Sequence, residues 1–405
     1  VSILPTPQKP LPMGEFIILL AALFSMVAFS IDSILPALPE IAAHMVPDNV
    51  NRAQLVIVAF VVGAGLGQLF FGPLSDAYGR RLSMGSGFVL YMLASAAAYS
   101  AQSIEALLFW RFVQGLGAAG PRTNAMALTR DLYEGRTMAK VNSMAFTFFV
   151  LVPAVAPMLG QWIILGFGWR HLFTTYALVA FVILAWFLLR QPETHPVEKR
   201  RPLRLRPVLE AFVIVFKSKV TLLYMTVILL AFAQLMAYLS SAQQIFVDVL
   251  GTGTSFPFYF ALVSILSAGS GAINSMLVLR IGMRRLALIG FAAQTVLAAL
   301  TLGYWAIMAP GGSVALWLFV CWSTTLFFLN GLSFGNLNAL AMQPLGHVAG
   351  TAAAVIGAVP TMLSVLIAAP IGQAFNGTPI PLLIGVVICS TLSAILIQID
   401  RHNPD

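Results

Sequence analysis

Gly72-Pro73-Leu74-Ser75-Asp76-Ala77-Tyr78-Gly79-Arg80-Arg81 is a short charged island between two long apolar runs, Ala53 to Phe71 and Leu82 to Ala101. Each run is long enough to cross a bilayer as a helix. So short a connection makes the two helices antiparallel neighbours, and its two arginines mark that side of the membrane as the cytoplasm. Gly72 and Gly79 permit tight backbone turns that bulkier residues resist. Asp76 is placed to brace a helix end or to pair with a neighbouring basic residue.

The rest of the chain has the composition that this reading requires. Hydrophobic residues make up 59% and charged residues 9%, whereas a soluble domain carries about 25% charged residues. The net charge of +8 lies between apolar segments and forms no stripe on a soluble domain, so it is not a nucleic-acid footprint. Cys321 and Cys389 sit inside apolar runs as small packing residues and offer neither a disulfide framework nor metal spacing. No cofactor or metal is expected. The first apolar run lacks a basic leader and a small-residue cleavage site, so it is expected to be a retained helix.

Breaks at charged or Gly/Pro-rich stretches give twelve spans. They fall near 16–37, 53–73, 82–101, 104–128, 140–165 and 170–190, then 220–246, 257–279, 285–308, 313–340, 349–374 and 379–399. With both termini inside, all but four of the twenty-two Lys and Arg residues are cytoplasmic; the exceptions are Arg52, Arg111, Arg122 and Arg170. That asymmetry fixes the orientation. The expected fold is therefore an all-α membrane protein of two six-helix bundles, 1–190 and 220–405, joined by a cytoplasmic linker, 191–219. The basic run from Lys199 to Arg206 in that linker is either a lipid-binding segment or a solvated connection.

The halves echo each other. Ala156-Pro157-Met158-Leu159-Gly160-Gln161 in span five returns loosely as Ala369-Pro370-Ile371-Gly372-Gln373 in span eleven. Gly79-Arg80-Arg81-Leu82 has a degenerate partner in Gly282-Met283-Arg284-Arg285-Leu286. A duplicated six-helix unit produces such offsets, and duplication is the architecture of alternating-access transporters.

Ionisable groups inside the spans are few and expensive to keep there. Asp32 lies about sixteen residues into span one, roughly 24 Å along a helix, in the outer half of the membrane. Burial disfavours its charge, so a proton can bind and leave during transport; a partly solvated, idle carboxylate is the plainer alternative. Arg111 enters span four from outside to a comparable depth, roughly 10 Å, where it can meet Asp32 or share waters with it; a purely structural arginine bonding to neighbouring backbone carbonyls is the plainer alternative. Arg122, three helical turns beyond, projects from nearly the same face and either lines a cavity or snorkels to the inner interface. Asp76, Arg80, Arg130 and Asp131 form a charge cluster suited to a conformational latch. Pro153, Pro157 and Gly160 bend span five and let a neighbour approach closely. The second half offers amides and aromatics instead, among them Gln234, Tyr238 and Asn330, which suit a largely apolar ligand.

Several strings resemble the motifs of one family, the major facilitator superfamily. The opening island is similar to its G-x-L-x-D-x-x-G-R-R/K signature. Arg111-Phe112-Val113-Gln114-Gly115-Leu116-Gly117-Ala118 resembles its R-x-x-Q-G-x-G-A motif, which implies a part for Arg111 in proton transfer and brings in Gln114. The antiporter motif G-x-x-x-G-P-x-x-G-G is matched only in part, because Val152, Ala156 and Gln161 replace three glycines. Asp32-Ser33-Ile34-Leu35-Pro36-Ala37-Leu38-Pro39-Glu40-Ile41, Arg130-Asp131-Leu132-Tyr133 and Gly346-His347-Val348-Ala349-Gly350-Thr351-Ala352 resemble the Bcr/CflA drug:proton antiporters, with Ile34 replacing a tyrosine. The resemblance implies a twelve-helix transporter in a bacterial inner membrane that exports small amphipathic compounds in exchange for protons, and a monomer is expected. Arg111 and Arg122 weigh against permanent cations as substrates. A proton symporter importing a metabolite or siderophore would use the same Asp32 chemistry. A membrane-embedded transferase would need a polar catalytic cluster at one membrane face, and no H-E-x-x-H, G-x-S-x-G or P-loop is present.

Overall fold

A computed structural model describes residues 11–200, 206–308 and 312–400. Arg201 and Arg204 of the basic run, both chain ends, and the side chains of Gly346 to Thr351 lie outside the described residues. In a bilayer every backbone N–H and C=O must be satisfied within the protein. The apolar runs meet that demand as helices, and no strand occurs among the described residues.

The chain divides into two compact units. The first comprises 1–34 and 59–208, the second 35–58 and 209–405. Helix α1, Met13–Asp32, opens the first unit. The chain then enters the second unit with a 3-10 turn, Leu35–Ala37, and helix α2, Leu38–Met45. It returns within helix α3, Leu55–Tyr78. Helices α4 (Arg80–Tyr99), α5 (Ile104–Leu132), α6 (Gly135–Phe167) and α7 (His171–Arg190) complete the first unit. A twelve-residue helix, α8 (Arg206–Lys217), stands where a bare connection was expected. The second unit holds α9 (Lys219–Gln244), α10 (Phe256–Ser267), α11 (Ser270–Ile281), α12 (Met283–Met308), α13 (Gly312–Met342), α14 (Ala349–Gln373) and α15 (Ile380–Ile399).

Eleven helical segments among the described residues are long and apolar enough to cross a membrane. Helix α5, at 29 residues, is long enough to be the twelfth; its arginines and small residues lower its hydropathy. Many large apolar side chains point outward, including Trp162, Leu189, Leu279 and Ile307. A water-soluble protein could not tolerate such a surface, whereas lipid tails cover it.

The internal echo is physical. Within the first unit α4 packs on α5 and α7, and α1 packs on α6, α5 and α7. Within the second, α12 packs on α13 and α15, and α9 packs on α14, α13 and α15. One pairing scheme has been used twice.

Three local expectations need correction. The island after span two is not a loop throughout, because α3 stays helical across Pro73 to Tyr78. Only Gly79 leaves the helix, with φ +94°, and its amide closes the last turn by donating to the Ser75 carbonyl at 3.0 Å. Gly72 is therefore helical, and no turn depends on it. Span eight is broken into α10 and α11 at Ala268-Gly269, and span one is broken near Ser33-Ile34.

Candidate functional site

Asp32 ends α1 and is 4% exposed. It makes no hydrogen bond or ion pair with the described residues, so nothing offsets the desolvation of a charged form. The expected direct meeting with Arg111 does not occur as an ion pair. Arg111, fully buried on α5, instead donates from Nη1 to Gln114 Oε1 at 2.7 Å and from Nη2 to the Ser30 carbonyl at 3.1 Å. Its guanidinium lies 4.4 Å from the centre of the Phe60 ring, a cation–π contact strengthened by burial.

The contacts continue into a closed web. Gln114 donates from Nε2 to Ser95 Oγ at 2.6 Å. Ser95 Oγ donates to the Tyr91 carbonyl at 2.7 Å, and the Tyr91 hydroxyl meets Ser30 Oγ at 2.6 Å. Ser30 is the residue whose carbonyl holds Arg111, so the circuit of α1, α4 and α5 returns to its start. On the other side of Asp32, Ser33 Oγ meets the Tyr176 hydroxyl of α7 at 2.8 Å. Asp32 thus sits between two hydroxyl pairs without being tied to either.

Glycine permits the backbones to come this close. A side chain at Gly160 would collide with the Ser33 carbonyl, so α6 presses directly on the residue beside Asp32. Pro153 and Pro157 lie inside the same helix. Arg122 keeps an exposed side chain on α5 and takes no part in the web.

At the Gly79 turn the structure gathers Asp76, Arg80 and Asp131. Arg80 donates from Nη1 to Asp76 at 2.7 Å and to Ser75 Oγ at 2.8 Å, and from Nε to Asp131 at 2.9 Å. Arg130 stays exposed and makes no ion pair there among the described residues. A residue that the sequence did not single out takes its place. Glu193, just beyond α7, accepts from the backbone amides of Arg80 at 2.9 Å and Arg81 at 3.0 Å, a carboxylate at the positive end of α4. Arg81 in turn donates to the Leu188 and Gln191 carbonyls at the end of α7. The second unit repeats this device. After Gly282, with φ +88°, Arg284 donates to the Ile397 and Gln398 carbonyls at the end of α15.

In the second unit Tyr238 lies in an aromatic box, with Phe260, Phe319, Trp322 and Phe327 centroids at 5.2 to 6.5 Å. Gln234 and Asn330 are buried nearby in sequence on α9 and α13, and each donates to its own helix. Gln234 Oε1, Asn330 Oδ1 and Trp322 Nε1 have no hydrogen-bond partner among the described residues. Each is an available polar group in an apolar, aromatic setting.

Ser30, Tyr91, Ser95 and Tyr176 are uncharged and stood out in no sequence motif, and Ser33 appeared only within the string that begins at Asp32. Tyr91 and Ser95 carried a usable signal, since polar residues four apart share one face of an otherwise apolar span.

Residues 18–369 match the family model described as Major Facilitator Superfamily. The chain belongs to that superfamily. A Haemophilus influenzae protein named bicyclomycin resistance protein homolog is 28% identical, with 94% of each chain aligned. The Escherichia coli O139:H28 multidrug resistance protein MdtL is 28% identical over 95% of each chain. An uncharacterized MFS-type transporter of Bacillus subtilis, YdgK, is 29% identical over 89% of this chain and 90% of its own. Among solved structures, the E. coli xylose transporter XylE in a partially occluded inward-open conformation aligns with a TM-score of 0.75. It is 13% identical and covers 97% of this chain and 98% of its own. At that identity the likeness concerns the facilitator fold.

Proposed function

We propose that this chain is a proton-coupled exporter of small amphipathic compounds, a drug:proton antiporter of a bacterial inner membrane with both termini cytoplasmic. It works as a monomer without cofactor and is not an enzyme. The observation that carries the reading is Asp32, a buried carboxylate without a salt bridge among the described residues, one residue from Ser33 and two from the carbonyl that holds Arg111. Protonation removes the cost of keeping such a group in an apolar span. Its protonation state then biases which packing of the surrounding helices is favoured, and a proton gradient becomes a conformational drive. The names of the aligned resistance proteins support export and drug-like cargo.

The division of chemistry supports the cargo class. Arg111, Gln114 and Arg122 lie in the first unit, while Gln234, Tyr238 and Asn330 give the second unit amides and an aromatic face. Arg122, exposed and cationic, disfavours permanently cationic cargo, so neutral, zwitterionic or anionic amphipathic compounds fit best. Asp76, Arg80 and Asp131 at the Gly79 turn set the conformational balance and do not touch cargo.

Proteoliposomes with an imposed pH gradient test the reading. Cargo should move against the proton flow, and Asp32→Asn should abolish coupled transport while leaving cargo binding within about twofold. Cargo movement along the proton flow would overturn export, and undiminished coupling in Asp32→Asn would overturn the role of Asp32.

A further inference from the structure

Residues 35–58 belong to the second unit, although the helices on either side of them run in the first. An amide clasp holds them there. Gln54 Nε2 donates to Gln244 Oε1, and Gln244 Nε2 donates to Asn51 Oδ1 at 3.0 Å. Asn51 Nδ2 donates to the Gln373 and Phe375 carbonyls at 3.1 and 2.9 Å, and Gln373 Nε2 returns a bond to the Asn51 carbonyl at 2.6 Å. Gly372 makes room, since a side chain there would collide with the Gln54 amide.

Beside this clasp lies a cavity of about 380 Å³. Leu38, Ala42, Pro47 and Val50 give it apolar walls from residues 35–58, and α9 with the turn after it supplies the polar side. Gln244 has both ends of its amide in the clasp. The acceptors left on the wall are Gln54 and Gln243, each 2% exposed and with an Oε1 that has no hydrogen-bond partner among the described residues, and the exposed carboxylate of Asp248. Asp248 sits in a π-helical turn, Ile245–Val249, in which the Leu250 amide bonds back five residues to Ile245. Such turns recur at functional sites. This one places Asp248, five residues on from Gln243, on the same cavity wall. None of the described lining residues is basic.

We propose that this cavity binds small primary ammonium compounds with an apolar body, and that an occupant holds residues 35–58 clasped to α9. The chemistry selects the class. A carboxylate and an unpartnered amide oxygen both accept, so the ligand head must donate hydrogen bonds and carry positive charge. An inorganic cation would leave the apolar walls unused, and a quaternary ammonium has no N–H for Gln243. The walls come from both sides of the clasp, so the occupant binds the clasped arrangement in preference to an opened one. The cation preference is the opposite of that proposed for the cargo site, and the binding does not depend on the export reading. Only its consequence for transport does: an amine that stabilises one conformation slows turnover without competing with cargo.

Full-length protein in lipid nanodiscs, titrated calorimetrically with phenethylammonium chloride and with phenethyl alcohol, tests the proposal. The ammonium should bind at least about tenfold more tightly than the alcohol, which lacks the charge. Asp248→Asn should remove that preference. Ala43→Trp, which fills the cavity from an exposed lining position, should remove binding of both compounds. Asp32→Asn should leave the preference for the ammonium over the alcohol unchanged. Hydrogen exchange of the amides at 48–54 should slow with the ammonium in the wild type and not in Asp248→Asn. Equal binding of the two compounds, a preference that survives Asp248→Asn, or a preference that depends on Asp32 would overturn the site. Binding without slower exchange would overturn the clasp. A protein that binds the amine this way yet moves no cargo in the pH-gradient assay would refute the export reading and leave this one standing.

Discussion

Replacing Arg111 by Lys keeps the charge and removes the fork, so it isolates what the guanidinium geometry contributes. Arg111 serves acceptors on two helices, Gln114 Oε1 at 2.7 Å and the Ser30 carbonyl at 3.1 Å, and stacks on Phe60. A single ammonium on a shorter stem reaches one of these acceptors well and not both. A hydrogen bond to a charged group contributes about 1.5–3 kcal/mol in a soluble protein. Interhelical bonds in membranes average nearer ~0.6 kcal/mol, because the unfolded reference state also finds partners. The lost bond, a weakened ring contact and a Gln114 amide set loose from its anchor together give about 1.5–3 kcal/mol. That is a tenfold to 150-fold change in an equilibrium constant, to order of magnitude.

Reversible unfolding of the purified protein in mixed micelles, followed by helical ellipticity as SDS is raised, reads this directly. Arg122→Lys is the internal control, since the same change on the same helix falls on an exposed side chain and should stay within about 0.5 kcal/mol. If Arg111→Lys unfolds within that margin of the wild type, or costs no more than Arg122→Lys, the closed web is not a stabilising unit. The geometric argument then fails.

Two further substitutions probe other joints. Glu193→Gln keeps the shape but removes the negative charge at the start of α4, worth about 0.3–1 kcal/mol against the helix dipole. Amides of Arg80 and Arg81 should exchange with solvent severalfold faster, and unchanged exchange would show that the carboxylate is not their partner. Gly160→Ala should cost about 1–3 kcal/mol by overpacking against the Ser33 carbonyl, whereas Gly166→Ala on the same helix, with nothing within 4 Å, should be neutral or stabilising. Equal melting temperatures for the two variants would refute the close contact at Gly160.

The fold was legible because membrane physics leaves few options. Apolar length, the charge asymmetry and the Gly79 and Gly282 strings placed most helix ends within a few residues. The departures have local causes. The island from Gly72 to Arg81 was read as a loop, yet α3 runs through Pro73 to Tyr78, and the proline gives up one intrahelical bond without ending the helix. Helix α8 alternates apolar and charged residues at helical spacing, but the basic residues around it read as a connection. For the candidate site, formal charge singled out Asp32, Arg111 and Asp131; Asp131 pairs with Arg80 as expected, whereas Asp32 and Arg111 do not pair with each other. Arg111 donates to uncharged acceptors, and its serine and tyrosine neighbours carry no formal charge to betray them. Arg130 and Asp131 are adjacent in sequence, and helical geometry turns only Asp131 toward Arg80.

The duplication separates what the two bundles share from what they do not. Both close a glycine turn of positive φ with an arginine that binds the carbonyls ending the last helix of its own unit. Both use the same helix pairings. These are edge and packing devices, and either copy serves its bundle alone. The interiors diverge. Helix α9 holds α1's place in the pairing scheme, yet it carries Gln234, Gln243 and Gln244 where α1 carries Asp32. An amide cannot take up or release a proton near neutral pH, whereas a carboxylate can. In the proposed cycle the proton therefore has one bundle in which to act. The other is free to present amides and rings to cargo whose charge it need not match, and one proton site can then drive many different molecules.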